Sequence, residues 1–193
     1  MPHAREAFDR IMMEEFDTVL DIGCGKGQHH TNFTNAGKQC TPTDWVGHFP
    51  GVVVGDFNKL NFMELFDVTW AAHVLEHQLN VHQFLDKMIA LTKDNGWLVI
   101  TVPPMKHDIV GGHVTLWNCG LLLYNLTMAG IDCRDIKLKQ YGYNCTAIVQ
   151  KKQFVVPWKQ LTMGNGDIET LNNWMPDFAK QGFNGDIKEW NWT

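Results

Sequence analysis

Charge is scarce in this chain, and no apolar stretch is long. Asp, Glu, Lys and Arg make up 19% of 193 residues, with a net charge of −5. A protein that grips nucleic acid usually presents a basic face. The longest basic run here is Lys151-Lys152, so nucleic acid is not an expected partner. Apolar runs such as Trp97 to Val102 are far too short to span a bilayer, which argues against a membrane partner. The first ten residues are charged throughout and lack an apolar signal core, so a cytoplasmic location is expected. Cysteine is sparse and unpaired in pattern. The five positions (24, 40, 119, 133 and 145) are odd in number and contain no C-x-x-C. Neither a disulfide framework nor a zinc ribbon is indicated. Repeats and low-complexity segments are also missing. What remains is an ordinary composition, 45% hydrophobic, in a chain with room for one α/β domain and a full core.

The most informative segment is Val19-Leu20-Asp21-Ile22-Gly23-Cys24-Gly25-Lys26-Gly27. An apolar run reads as a short buried strand and ends beside an aspartate. Glycines at every second position then let the backbone turn sharply and lie against a ligand, because no Cβ blocks the approach. A helix is predicted from Gln28 to Ala36, stopped by Gly37, and its first N–H groups face back to the loop. The dinucleotide fingerprint needs G-x-G-x-x-G. Here the third glycine comes one residue early and Gln28 fills the slot, which argues against a nicotinamide or flavin dinucleotide.

Strand and helix signals alternate along the chain, which predicts a parallel sheet covered by helices. Strands are expected at 17–22, 39–43, 51–55, 66–72, 97–102, 132–140 and 144–151, and helices at 4–15, 28–36, 79–93 and 115–129. Asp94-Asn95-Gly96 supplies the stop after the third helix. Tyr141-Gly142-Tyr143 is too short for a crossover, so the last two strands are expected to form an antiparallel hairpin. Only residues 45–50 separate Asp44 from Gly51, so the second crossover must be a bare loop. Beyond about Pro157 the texture turns irregular, with Trp158, Trp174, Trp190 and Trp192 in a sparse background. This predicts a main domain over 1–156 and a Trp-rich tail over 157–193. The tail must pack on the domain, because four exposed indoles would be costly. The C-terminal strand ends, where open α/β sheets place their sites, are its expected seat.

Asp-x-Gly-x-Gly-x-Gly after a strand resembles the nucleotide-binding loop of the class I S-adenosylmethionine-dependent methyltransferases. Further elements follow in that family's order: Asp44 at the tip of the second strand, Gly55-Asp56-Phe57 after the third, Phe66-Asp67 leading to Val74-Leu75-Glu76-His77, and Gly112-His113-Val114 before the last long helix. The resemblance spans residues 17 to about 151. It implies a three-layer, Rossmann-like α/β fold with a seven-stranded, mostly parallel sheet and an antiparallel C-terminal hairpin. It implies S-adenosyl-L-methionine as cofactor, held by Asp21, Gly23, Cys24, Gly25 and Gly27. Asp44 lies 23 positions beyond Asp21, a spacing that suits a ribose acid at the end of one β-α-β unit. Trp45 would cover the adenosine, Asp56 would accept from the adenine amino group, and Phe57 would pack on the ring. His73 would sit near the methionine end. A turn aspartate remains the plain alternative for Asp44 and for Asp56.

Methyl transfer from a sulfonium needs mainly orientation, with a base only for a hydroxyl or ammonium acceptor. Histidine is the natural base near neutral pH. His77, His107 and His113 follow strand ends where open α/β sheets place their sites, and His113 leads as the acceptor-side candidate. Glu76 and His77 are either structural loop residues or acceptor-site groups. Cys24 lies where small residues are needed and is not expected to be a nucleophile. His73-Val74-Leu75-Glu76-His77 also fits the H-x-x-E-H zinc motif of a metal-dependent hydrolase. That motif needs a helix, whereas a strand leads into this one, and no metal ligand is assigned. The expected activity is O- or N-methylation of a small-molecule or sugar-like acceptor. A binding module or partner subunit that keeps the cofactor without turnover is the alternative.

Overall fold

The structure, a computed structural model, describes residues 3–193. Its first helix, α1 (Arg5–Ile11), precedes β1 (Thr18–Ile22), α2 (Gln28–Asn35), β2 (Gln39–Asp44) and β3 (Val53–Val54). Next come β4 (Phe66–Ala72), a single 3-10 turn (Leu75–His77), α3 (Val81–Leu91), β5 (Thr92–Val102) and α4 (Cys119–Met128). The hairpin strands β6 (Lys137–Tyr141) and β7 (Asn144–Gln150), a short α5 (Asp167–Leu171) and β8 (Glu189–Trp190) complete the chain. The strands form one sheet in the order β3-β2-β1-β4-β5-β7-β6-β8. The first five strands are parallel, and β6, β7 and β8 pair antiparallel to their neighbours.

Strand alternation divides the core into two faces. Val19, Val68, Trp70, Val99 and Ile148 pack with Ala4, Ala7 and Ile11 of the N-terminal segment and with Phe33 of α2. Leu20, Ile22, Leu98, Ile100 and Ala147 point the other way, against α3 and α4. This produces three layers, as the sequence predicts. The strand count differs, at eight instead of seven. The eighth strand comes from the tail, where Leu138 and Lys139 pair with Trp190 and Glu189. Two residues carry too little periodicity to be read from sequence.

The bare-loop crossover is present. Residues Thr43 and Asp44 pair in parallel with Val53 and Val54, and the Thr43 hydroxyl donates to the Val53 carbonyl at 2.9 Å. A parallel connection ordinarily needs a dozen or more residues to climb back along the sheet. Here the pairing covers only the tip of β2, so the chain returns by little more than one residue's rise. The Asp94-Asn95-Gly96 turn is relocated: α3 stops at Leu91, and the turn becomes an irregularity inside β5, with Asn95 at φ +61°. A Cβ on Gly96 would lie 2.7 Å from the Asp67 carbonyl oxygen, so only glycine allows that approach.

The tail covers α4, not the strand ends. Leu171, Met175 and Ala179 are buried in the same core as Leu122, Leu123 and Leu126 of α4. Trp174 stacks on Phe154 at 4.1 Å, and Gly185 accepts the Gly120 N–H at 2.9 Å. Trp192 then crosses the sheet edge, and its carbonyl accepts from the Arg10 guanidinium at 2.7 Å. Among the described residues, no helix is long and apolar enough to cross a membrane.

Candidate functional site

The glycine loop connects β1 to α2 with Gly23, Gly25 and Gly27 all at positive φ (69°, 50° and 81°), which L-residues with a Cβ adopt at a cost. The loop is anchored by the Gly23 and Cys24 amides, both donating to the Thr43 carbonyl (2.8 and 3.0 Å). A Cβ on Gly23 would collide with Val74 and one on Gly27 with Phe49, whereas Gly25 faces open space. Gly25 is therefore the point at which a ligand can lie directly on backbone. Gly27 is the N-cap of α2, and no side chain caps that terminus. Its amides and helix dipole favour negative charge there.

Two carboxylates flank the loop. Asp44 accepts the Gly25 N–H at 2.8 Å and the Val46 N–H at 3.1 Å, so its carboxylate is oriented at the end of β2. Asp21 is 1% exposed, and its Oδ2 has no hydrogen-bond partner. Burial pushes its carboxyl up to about 7; the His30 amide opposes that rise and the Asp44 charge adds to it. Cys24, buried beside them, has its thiol pushed up to about 12 by burial and then by the charges of Asp21 and Asp44. The thiolate is unavailable at neutral pH, so Cys24 serves as a small loop residue.

Trp45, 69% exposed, and Asp56 line one cleft of about 410 Å³ with Asn58, Gln78 and Asn80. Asp56 also closes a turn, accepting the Asn58 amide at 3.0 Å. Phe57 corrects the sequence reading. It is 6% exposed and packs into the core against Phe84 at 5.1 Å, so its ring is not presented to the cleft. The alternation after Gly55 turns this residue inward, and the apolar core claims it.

At the tip of β4, His73 adopts a left-handed backbone (φ +57°), uncommon for a non-glycine residue and frequent at functional positions. Its Nδ1 is 3.3 Å from Glu76 Oε1, and its Nε2 is 3.0 Å from Asn144 Oδ1. Burial lowers the imidazole pKa, but the nearby Glu76 carboxylate and the bond to Asn144 outweigh it, and the net direction is upward. Because His73 lies outside the 3-10 turn and protein groups engage both ring nitrogens, the helical i, i+4 pair of a protease zinc motif is not formed. The His3 ring lies 4.5 Å from that of His73, and the His3 carbonyl is 3.0 Å from His29 Nε2. His29 in turn packs on Trp70 at 4.9 Å.

His77 and His113 come together, with ring centroids 5.1 Å apart and nearly perpendicular. The Val114 and Thr115 amides donate to the Glu76 carbonyl (2.9 and 3.2 Å), which ties the two loops to each other. His113 also lines a small cavity of about 30 Å³ with Pro104, Met105, Lys106, Trp117 and Tyr143. His107 does not join them; it is exposed on the 105–112 loop and lies outside that cavity. No tail residue lines the cavity. Sequence reasoning missed His3, Asn144 and Tyr143, which reach the site through the N-terminal segment and the hairpin. Only the tertiary pairing brings those segments to the tip of β4.

A family profile described as a methyltransferase domain matches residues 3–146. No curated relative matches the sequence. Several solved structures share the fold. One is a methyltransferase of Archaeoglobus fulgidus described as S-adenosylmethionine-dependent, 17% identical, with TM-score 0.64, covering 76% of this chain and 92% of its own. Another is 1,6-didemethyltoxoflavin-N1-methyltransferase of Burkholderia thailandensis, 16% identical, with TM-score 0.61, covering 77% and 76%; it was crystallised with its acceptor and S-adenosylhomocysteine. The N-methyltransferase NodS of Bradyrhizobium japonicum, also solved with S-adenosylhomocysteine, is 17% identical, with TM-score 0.59 and coverage of 78% and 86%.

Proposed function

The chain belongs to the class I, S-adenosylmethionine-dependent methyltransferases, and from that premise we propose that it methylates a small-molecule acceptor at oxygen or nitrogen. The observation that carries the cofactor assignment is the loop itself. An open glycine at position 25, a carboxylate oriented by that glycine's amide, an uncapped helix N-terminus and an orphaned buried Asp21 oxygen converge within one β-α-β unit. These fit a ligand that brings ribose hydroxyls, an ammonium and a carboxylate. Asp44 would accept from the ribose, Gly23, Cys24, Gly25 and Gly27 would carry the amino-acid end, and Trp45 and Asp56 would hold the adenine in their cleft. When bound, S-adenosylmethionine supplies a methyl group on a sulfonium, a leaving group that is already activated.

The chain's own residues then supply position and proton handling. His73 stands at the strand tip with Nε2 held by Asn144 and Nδ1 facing Glu76, so it would orient the methionine end of the cofactor. His113 would be the imidazole of the acceptor side, beside an apolar wall of Pro104, Met105, Trp117 and Tyr143, and His77 would stand between it and the Trp45–Asp56 cleft. The 1,6-didemethyltoxoflavin bound in one structural relative supports the acceptor class. Calorimetry tests the reading. S-adenosylmethionine and S-adenosylhomocysteine are expected to bind with micromolar-range affinity, and NAD is not. Heat from NAD alone would overturn it, and an acceptor library assayed for S-adenosylhomocysteine release would identify the substrate.

A further inference from the structure

We propose that Glu76, His77 and His113 form a binding site for a divalent transition-metal ion on the acceptor side of the pocket. Glu76 is the starting point. It is completely buried, yet neither carboxylate oxygen has a hydrogen-bond partner. A buried carboxylate without donors is costly and normally calls for a cation. His73 Nδ1 and His77 Nε2 approach one of these oxygens, Oε1, at 3.3 and 3.8 Å without the alignment of a hydrogen bond, and no donor reaches Oε2.

The neighbouring histidines are arranged as ligands. His77 Nδ1 lies 2.7 Å from the Gly112 carbonyl. A carbonyl only accepts, so Nδ1 carries the proton and Nε2 keeps its lone pair. Metal-binding imidazoles are typically oriented in this way, by donating the other ring N–H to a carbonyl or carboxylate. That lone pair is on the nitrogen nearer Glu76. One donor atom each from Glu76, His77 and His113 lies within 4.8 Å of the other two. A cation about 2.1 Å from each donor sets them roughly 3–4 Å apart, so binding requires the widest pair to close by at most about 1–2 Å. The hydrogen bonds from Val114 and Thr115 to the Glu76 carbonyl already hold His113 beside Glu76.

Two imidazoles and one carboxylate suit Mn²⁺, Fe²⁺, Co²⁺ or Zn²⁺ better than Mg²⁺ or Ca²⁺, which prefer oxygen alone. Three protein ligands leave open positions, the pattern of a reactive site and not a structural one. His113 also lines the acceptor cavity, so those positions would face it. The role toward an acceptor rests on the methyltransferase reading; the metal site itself does not.

The test is titration of the chelator-treated full chain with Co²⁺, followed by visible absorption, and with Mn²⁺, followed by electron paramagnetic resonance. One equivalent is expected to bind. His113→Ala and Glu76→Gln should each weaken binding at least tenfold, and His48→Ala, at an exposed histidine elsewhere, should leave it unchanged. If Glu76→Gln fails to fold, the half-exposed His113 still decides, since its truncation removes no core. Failure of the parent chain to bind either ion in stoichiometric amount, or binding undiminished in His113→Ala, would overturn the proposal. Calorimetry with S-adenosylhomocysteine on the same samples separates the two readings. Cofactor binding without metal binding removes the metal site alone, and the reverse removes the cofactor assignment alone.

Discussion

Asp21→Asn is the sharpest probe of the loop, because the structure fixes both the sign and the size of the effect. The Asp21 carboxyl is buried with one oxygen unpaired, and burial pushes its pKa up to about 7 in the folded chain. In the unfolded chain an aspartate titrates near 4. Between those values the folded state holds a proton that the unfolded state has lost, so folding stability falls as pH rises through the interval. The group's contribution is complete below about pH 4 and is lost by about pH 7. A gap of roughly three pH units, at about 1.4 kcal/mol per unit, gives about 4 kcal/mol. Asparagine does not titrate. The parent should therefore lose about 4 kcal/mol relative to Asp21→Asn between pH 4 and pH 8. Any fixed cost of the amide cancels in that difference, because it is present at both ends. Urea unfolding at several pH values measures it. Parallel stability curves, differing by less than about 1 kcal/mol over the range, would refute the reasoning by showing Asp21 ionised and satisfied in the fold. The same substitution should weaken S-adenosylhomocysteine binding, so that the stabler loop is the poorer site.

Three further outcomes are expected. Asp44→Ala should reduce S-adenosylhomocysteine affinity about 5- to 150-fold, or about 1–3 kcal/mol, as ribose hydroxyls lose a charged acceptor; calorimetry unchanged from the parent would shift the role to Asp56. Gly25→Val should abolish cofactor binding in the same assay while lowering stability only by backbone strain of about 1–2 kcal/mol, since a Cβ there meets nothing within 4 Å. Leu171→Ala, at a fully buried tail position, should cost about 2–5 kcal/mol in urea unfolding; a change below about 1 kcal/mol would show that the tail is not part of the core.

The three-layer architecture and the loop were legible because they rest on local pattern. The apolar run ending in Asp21, the acid at Asp44 one β-α-β unit later, glycines at 23, 25 and 27 and the Gly142 hairpin turn each declare themselves within a few residues. His77 and His113 were candidates in the sequence, but their meeting at one place was not legible. His113 lies 36 positions after His77, and only the amides of Val114 and Thr115 on the Glu76 carbonyl bring them together. His107 and His113 look alike in sequence, both polar residues after a strand, yet one lies exposed on a loop and the other lines a cavity. Phe57 was misread for a related reason: a residue after a turn can face either way, and here the core of Phe84 and Phe62 holds it.

The tail shows how one helix can determine the course of a distant segment. Between Cys119 and Met128, α4 carries Leu121, Leu122, Leu123, Leu126 and Met128 with hardly a charged residue, so it is apolar nearly all round. Such a helix needs cover on more than one side. The sheet buries one side against Cys145 and Ala147, and Leu171, Met175 and Ala179 bury another. At its start the helix admits the tail only because position 120 is glycine. A Cβ there would lie 2.5 Å from the Gly185 Cα, where the two backbones meet through the Gly120 N–H. The indoles of the tail follow from this course. Trp174 stacks beside α4's C-terminal exit, and Trp192 closes the far face beneath α1. Cover for α4, not for the acceptor, is what the tail provides. The β4 tip and the 105–117 loop are left uncovered by it, and there Glu76, His77 and His113 come together, with His113 lining the small cavity.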